Sequence, residues 1–532
     1  MNFLLKSDLS TFSTNNQWRP EFKKLIQESK YLDTSFVNGI RRYAISKINT
    51  VAFDYSPTPQ IKDYIIFEKN NSNMNNDFIG HRIGLLPINI IGVKYVLMVY
   101  KILIGHHNVF DNIKNLLNES NKVEALILLK SNLKLKNNID IISKVQFYYD
   151  IENTTSDVIN VTSKEIQFRF MNLEETIELN LSDFTEKLKL YDTVFKLYEE
   201  YNELENTEIS NNNLVRLIFP LFTYESYSEG VLISKLKKNE RLKCKMYLNI
   251  GNGTKHSRFS VVSPCSYSFE LDTDLITKVL NDKFNNNNNI KLIESNLENI
   301  MGDEYSVVKQ FIEERYNNIV EFKLNTELIN EKNTFLETNQ NLKNIKKLNE
   351  YISEKDKLLN TFNKCDNQRY FKGKEEYELF NRTYNLYIES NGFYNPNKIL
   401  LKSFKFLKTE LLEHCESILY LLNNLSNFPL KNDHISIDES SQIENGIDIL
   451  FNNSNHAIGN IISSHIYYLY DNTIIDNTTI KYVGYKMVHP LKTEMVITIG
   501  LDSMNNMNNI ITIIFTKLKT IIKNKYITNF IN

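Results

Sequence analysis

Cysteine is scarce in this chain. Cys244, Cys265, Cys365 and Cys415 are the only four in 532 residues, widely separated and without a Cys-x-x-Cys pair. That argues against a cysteine-rich zinc site and against a disulfide-stapled secreted fold, so a reducing compartment is expected. The opening "MNFLLKSDLSTF" lacks the apolar core and cleavage pattern of a signal peptide. Long hydrophobic runs are also missing: "YVLMVYKILIG" is too short and too interrupted to span a bilayer. No charge of one sign dominates, because 62 basic residues face 64 acidic ones for a net charge of −2. The chain as a whole therefore has no basic excess for nucleic acid, which leaves only a local patch for that. Glycine (15) and proline (9) are sparse.

What is present supports large cores. The composition is 42% hydrophobic and 24% charged, and the length suggests about three or four domains. "FVNGIRRYAISKI" (36–48) is one amphipathic helix: Phe36, Val37, Ile40, Tyr43, Ala44 and Ile48 share an arc, Arg41 sits at its rim, and Asn38, Arg42 and Ser46 lie opposite. Asp33, Thr34 and Ser35 can cap it. Gly39 costs roughly 1 kcal/mol against Ala in a helix interior, which suits a close approach by another backbone.

The helix leads into "NTVAFDYSP", a strand stopped by Pro57 and Pro59, then "DFIGHRIGLLPINI", a short helical piece ended by Gly84 and Pro87. Residues 91–190 mix strands and helices. "VINVTSKEIQFRF" and "ETIELNLSDF" alternate with a period of two. Residues 229–272 read as strands around one long exposed loop containing "GNGT". Residues 273–375 are charged and asparagine-rich, as helical insertions with exposed loops are. "YNLYIESNGFYNPNKI" is a strand followed by a helix start at Pro396. Leu400, Phe404, Leu407, Leu411, Cys415, Ile418 and Leu422 then keep a seven-residue beat, so a long helix must pack on another helix.

"SNFPLKNDH" (426–434) reads as a linker, and a second unit follows. "SNHAIGNIISSHIYYLY" is a helix capped by Asn453 or Ser454, with Ile458, Ile461, Ile462, Ile466 and Leu469 on one arc and Gly459 at its edge. "KYVGYKMVHP" and "EMVITIGLD" are strands, and a last helix carries Met507, Ile511, Ile514, Leu518 and Ile521. The plan repeats: a glycine-bearing helix, strands, and a long helix with a seam.

"SFVNGIRRYAISKINTVAFD" with "DFIGHRIGLLPI" resembles the larger alpha-type subunit of cellular RNA polymerases, in eukaryotes the third subunit of polymerase II or its counterpart in polymerases I and III. "VLISKLKKNERLKCKMYLNIGNGTKHSRFSVVSPCSYSFEL" resembles the later part of that fold, including its G-x-x-K-H-x-[RK]-[FW] loop, and "YNLYIESNGFYNPNKILLKSFKFLK" its closing strand and helix. "NHAIGNIISSHIYYL" with "YVGYKMVHPL" is similar to the smaller partner, the eleventh subunit of polymerase II. The likeness covers about half the chain and omits residues 1–25, about 105–225 and 273–375. The two partners are separate chains in cellular enzymes. Joined head to tail, as here, they resemble the polymerases of large cytoplasmic DNA viruses. Many cellular relatives carry a four-cysteine zinc site in the inserted domain, but no cysteine occurs before Cys244.

The resemblance implies an α+β fold of two alpha-like half-units that pair within one chain through helices on antiparallel sheets, with a β-rich domain inserted in the first. Residues 26–105 and 229–272 would form the larger dimerisation unit, with 106–228 inserted. Residues 273–375 are an insertion of unassigned role, 376–425 the closing strand and helix, 426–434 the linker and 435–532 the smaller unit. Phe36, Ile40, Ala44, Leu411 and Ile418 would pair with Ile458, Gly459, Ile462, Ile514 and Leu518. Asn38, Arg41 and Arg42, with Lys255, His256 and Arg258 of the loop, would face the second-largest polymerase subunit, where arginine's planar fork suits bidentate contacts. Gly39, Phe78, His81, Arg82, Gly84 and Pro87 are motif positions, and His81 is expected to be packed and hydrogen-bonded.

The function so implied is a non-catalytic assembly platform of a DNA-directed RNA polymerase, on which the second-largest and then the largest subunit dock. A small subunit resembling the tenth of polymerase II would bind beside it, and DNA would be reached only through the complex. No membrane partner, no zinc and no cofactor are expected. No aspartate cluster for catalytic magnesium stands here, and the resemblance implies that such residues belong to the largest subunit. A viral chain would work in a host cytoplasmic factory and in the virion; the alternative compartment is the nucleus. The rivals are a metal-dependent hydrolase built on His81, His106 and His107, and a DNA-binding regulator. Adjacent histidines on a strand point to opposite faces, which disfavours the first; no compact basic segment supports the second.

Overall fold

In the computed structural model the described residues are 4–6, 24–26, 34–55, 64–105, 107–134, 138, 142, 144–171, 178–179, 188–202, 211–224, 227–269, 272–302, 305–317, 334, 345–365, 384–424, 429–470, 474–475, 478–503 and 507–525. A smaller compact unit includes Tyr267–Asn385, and a larger one includes Asn38–Ser266 and Leu386–Asn532.

Helix α1 (Thr34–Ser46) has the expected face: Phe36, Val37, Ile40, Tyr43 and Ala44 are all buried. Strands β1 (Thr50–Phe53) and β2 (Ile65–Asn70) follow, then α2 (Asn76–Gly84), capped by the Asn75 side chain. Helices α3 (Ile90–Leu103), α4 (His107–Asn118) and α5 (Lys122–Asn132) come next, then strands β3 (Val145–Glu152), β4 (Ile159–Thr162), β5 (Gln167–Met171) and β6 (Glu178–Leu179). Helices α6 (Asp192–Tyr201) and α7 (Asn211–Ile218) precede β7 (Leu232–Leu236), β8 (Arg241–Gly251) and β9 (Val262–Phe269).

The long strand β8 organises this sheet. Its end, Leu248–Gly251, pairs antiparallel with β1, while its beginning pairs with β2 on one side and β3 on the other. Leu242, Cys244, Met246 and Leu248 alternate onto the buried face. The sheet runs on from β3 through β5 to β6. This departs from the expectation of a separate β-rich inserted domain at 106–228. The segment carries helices α4 to α7, and its strand β3 is bound into the same sheet as β1, because buried Val145, Phe147 and Tyr149 complement the apolar face of β8. The "ETIELNLSDF" strand is described only at Glu178–Leu179, and Pro57 and Pro59 lie outside the described residues.

The smaller unit contains α8 (Thr273–Asn286), α9 (Asn288–Met301), α10 (Tyr305–Asn317) and α11 (Ile345–Cys365). Ile276, Leu280, Leu297, Val308, Leu348 and Ile352 share its core.

Strand β10 (Tyr384–Ser390) leads to α12 (Pro396–Asn424), whose buried stripe is Leu400, Phe404, Leu407, Leu411, Cys415, Ile418 and Leu421. Leu421 is buried and Leu422, the expected position, is only half-buried. Strands β11 (Leu430–Lys431), β12 (Ile435–Glu439) and β13 (Gly446–Phe451) then precede α13 (His456–Tyr470). The chain goes on through β14 (Ile474–Ile475), β15 (Thr478–Met487), β16 (Met495–Leu501) and α14 (Met507–Lys525). The six strands form one antiparallel sheet in the order β11-β12-β13-β16-β15-β14. The expected linker at 426–434 is thus partly an edge strand, because Leu430 is fully buried beside Ile437. The cap of α13 is Asn455, not Asn453 or Ser454. Helix α12 packs along α14, and both touch α13. No single described helix is long and apolar enough to cross a membrane.

Candidate interaction site

Three stretches far apart in sequence meet at the end of β1. Asp54 accepts from Lys255 Nζ at 2.7 Å and from Asn249 Nδ2 at 3.0 Å, and Arg258 Nη1 lies 3.5 Å away. Arg258 also donates to Phe53 O at 3.4 Å. A Cβ on Gly84 would stand 3.0 Å from that same carbonyl and 3.2 Å from Arg258 Nη1, so the glycine leaves room for the guanidinium. Burial alone would raise the Asp54 carboxyl. Hydrogen bonds from Lys255 and Asn249, with the charges of Lys255 and Arg258, hold it below the usual range instead.

The loop "GNGTKHSRF" is not free. Thr254 N–H and Oγ1 both donate to Ser46 O at the end of α1, at 3.1 and 3.0 Å, satisfying a terminal helix carbonyl. Arg258 has a side chain only 3% exposed. It braces the fold and is not available to a partner; Lys255 and His256 are exposed. His256 Nδ1 accepts from the Arg258 backbone and Nε, and burial with the Arg258 charge pushes its pKa down.

On α2, Phe78, His81 and Arg82, with Leu85 just beyond, lie at i, i+3, i+4 and i+7 on one exposed face. Phe78 and Leu85 are about two-thirds exposed, at 66% and 65%. His81 is therefore not the packed histidine expected: it is exposed, with its ring edge-on to Tyr55. Arg82 Nη1 donates to Ile233 O at 3.0 Å, and Pro87 is half-buried. On α1, Arg42 is exposed, while Arg41 is half-buried and donates through Nε to Asn38 Oδ1 at 2.9 Å.

A second meeting point joins α1 and α12 to α13. A Cβ on Gly39 would lie 2.8 Å from Ile461 Cδ1 and 3.2 Å from Leu407 Cδ2. The close approach is by side chains of α13 and α12, not by a backbone. Gly459 instead faces its own sheet, where a Cβ would lie 2.5 Å from both Met495 Sδ and the Tyr485 ring. Ile40, Ala44, Leu411, Ile418, Ile458, Ile462, Ile514 and Leu518 are all buried. Sequence reasoning missed the polar groups here. Tyr43 donates to Glu410 Oε2 at 2.6 Å, and Asn455 Nδ2 reaches both Tyr43 Oη and Glu410 Oε1. The available signal was Glu410 with His414, a polar i, i+4 pair bordering the apolar stripe of α12.

Neither meeting point holds metal-binding chemistry. Among the described residues no three His, Cys, Asp or Glu side chains converge as a metal set. His106 lies outside the described residues, and His107 opens α4 rather than standing on a strand.

A stretch of 61 residues is 38% identical to "DNA-directed RNA polymerases II, IV and V subunit 3" of Arabidopsis thaliana, covering 12% of this chain and 16% of that relative. The model of the RNA polymerase Rpb3/Rpb11 dimerisation domain matches residues 28–411, from just before α1 into α12. That span is more than half of the chain and contains the β1, α2 and loop residues that meet at Asp54, and the protein belongs to this family of RNA polymerase dimerisation-domain subunits.

Proposed function

We propose that the chain is an alpha-like assembly subunit of a DNA-directed RNA polymerase, with both partners of the dimerisation pair carried on one polypeptide. The first half-unit is built around α1, β8 and α12, and residues 435–532 supply the second. The segments meet through α12 against α14 and α13. Joining them adds no contact but sets an effective concentration of about millimolar. Against micromolar free subunits that is roughly a thousandfold, or about 4 kcal/mol.

The observation that carries the docking role is the exposed stripe of Phe78, His81, Arg82 and Leu85 beside a loop that is tied to the end of α1. Apolar side chains exposed to this degree amid cationic ones suit a protein interface. The second-largest subunit docks here, the largest follows, and a small subunit resembling the tenth of polymerase II binds beside them. The chain supplies no catalytic residue, holds no zinc, and meets DNA only through the complex. In a viral setting its place is the cytoplasmic factory and the virion.

The test is capture of the second-largest subunit by co-expressed variants. Arg41→Glu with Arg42→Glu is expected to stay folded, since Arg42 is exposed and Arg41 gives up only its hydrogen bond to Asn38, at about 0.5 to 1.5 kcal/mol. An inverted charge at a desolvated interface costs about 2 to 5 kcal/mol, so capture falls roughly thirtyfold or more. Ile40→Asp buries a charge and should unfold the unit instead. Normal capture by the arginine variant would mean that these side chains are merely solvated.

A further inference from the structure

Asn455 stands where the two segments meet. Its Oδ1 accepts from the backbone N–H of Ala457 and Ile458 at 2.9 and 3.2 Å, capping α13. That fixes which end of the amide faces the first segment. Nδ2 donates to Tyr43 Oη on α1 at 3.0 Å and to Glu410 Oε1 on α12 at 3.1 Å. Tyr43 donates in turn to Glu410 Oε2 at 2.6 Å, and Lys47 Nζ lies 3.7 Å from the same oxygen. One turn along α12, His414 Nε2 meets Ser454 Oγ at 3.1 Å, and its ring stacks on Phe451.

The set is asymmetric. Four residues before Gly459 stands Asn455, but four before Gly39 stands Ser35. Four residues after Gly39 stands Tyr43, but four after Gly459 stands Ser463. The first segment brings the phenol and the carboxylate, and the second brings the amide.

We propose that Asn455, Glu410 and Tyr43 form a polar key that restricts pairing to unlike segments. The inference rests on the reading of the two segments as paired half-units. Two first segments together would lack the amide donor, because Ser35 stands where Asn455 would be, and would leave the Tyr43–Glu410 pair without it. Two second segments would leave Asn455 Nδ2 without its acceptors. A polar group stranded in this way costs more than the net worth of the bond it loses. The apolar seam supplies the attraction for either pairing, and the key supplies the discrimination, as a buried asparagine does in coiled coils.

The experiment uses the full chain with a protease site inserted between Asn424 and Pro429, cut after folding. Preparations tagged at the N-terminus and at the C-terminus are mixed, and the appearance of doubly tagged protein gives the rate of segment exchange. Asn455→Asp keeps the helix cap but sets a carboxylate against Glu410, and exchange is expected to quicken about tenfold or more. Adding Glu410→Gln restores one donor facing one acceptor, with their sides exchanged, and should return the rate to within about threefold of the parent. Parent-like exchange by Asn455→Asp overturns the key, as does a double variant no better than the single. Co-capture of two different N-terminal tags after cutting, absent before it, means that first segments pair with each other and also overturns it. Parent segments that drift apart on cutting overturn the pairing reading itself.

Discussion

At the scale of single residues, the glycines separate two kinds of close approach. A methyl on Gly39 would meet Ile461 Cδ1 and Leu407 Cδ2, the far ends of flexible side chains. A methyl on Gly253 would stand 2.0 Å from Ile45 O, a backbone atom that cannot turn aside. Gly39→Ala gains roughly 1 kcal/mol of helix propensity against an overpacking cost of about 1 to 3 kcal/mol, so its net effect should be small. Gly253→Ala should cost more than about 2 kcal/mol, because the loop must lift from α1. Urea midpoints of the two variants check the order. Buried phenols give a second prediction. Burial, helped for Tyr43 by Glu410, raises the pKa of Tyr43, Tyr149 and Tyr198 well above 10.0. Such a group holds its proton in the folded state at a pH where the unfolded chain has lost it. Its contribution is therefore complete below about pH 10 and falls as pH rises beyond. Stability measured from pH 8 to 11 should drop at the alkaline end, and less steeply in Tyr149→Phe. An equal slope in that variant would mean that Tyr149 titrates alike in both states.

At the scale of elements, α12 and α14 pack along each other in one apolar seam. Leu411 and Ile514 are fully buried on these two helices. Leu411→Ala and Ile514→Ala should each cost about 2 to 5 kcal/mol, with a cavity at the seam. Thermal melting of each variant, set beside the exposed substitution Tyr420→Ala, tests this. The elements were legible in the sequence where one period governs them. The faces of α1, α12 and α14 follow from a spacing that needs no tertiary knowledge. The pairing of β3 with β8 did not follow, since strands about a hundred residues apart carry no mark of their partner. Arg258 and Lys255 looked like free cations for the same reason: their counter-ion, Asp54, sits some two hundred residues earlier. The Tyr43–Glu410–Asn455 set was hidden because Tyr43, taken alone, reads as an ordinary core residue, and Glu410 and Asn455 as ordinary surface and cap residues.

At the scale of the whole molecule, the chain should carry no stoichiometric zinc. Elemental analysis of the purified protein is expected to find well below one zinc per chain, and about one per chain would reveal a site involving residues outside the two meeting points. The contact of Gly39 with Ile461 has a consequence in time. During synthesis α1 emerges about 420 residues before α13, and at about 5 to 20 residues per second that is roughly 20 to 80 s. Throughout that interval part of the apolar face of α1, and later the stripe of α12, has no partner to cover it. A ribosome-bound chain stalled near residue 450 should therefore be held by chaperones, and one stalled well beyond residue 525 should be released from them. The join that favours pairing in the finished protein also imposes a waiting period on the growing one.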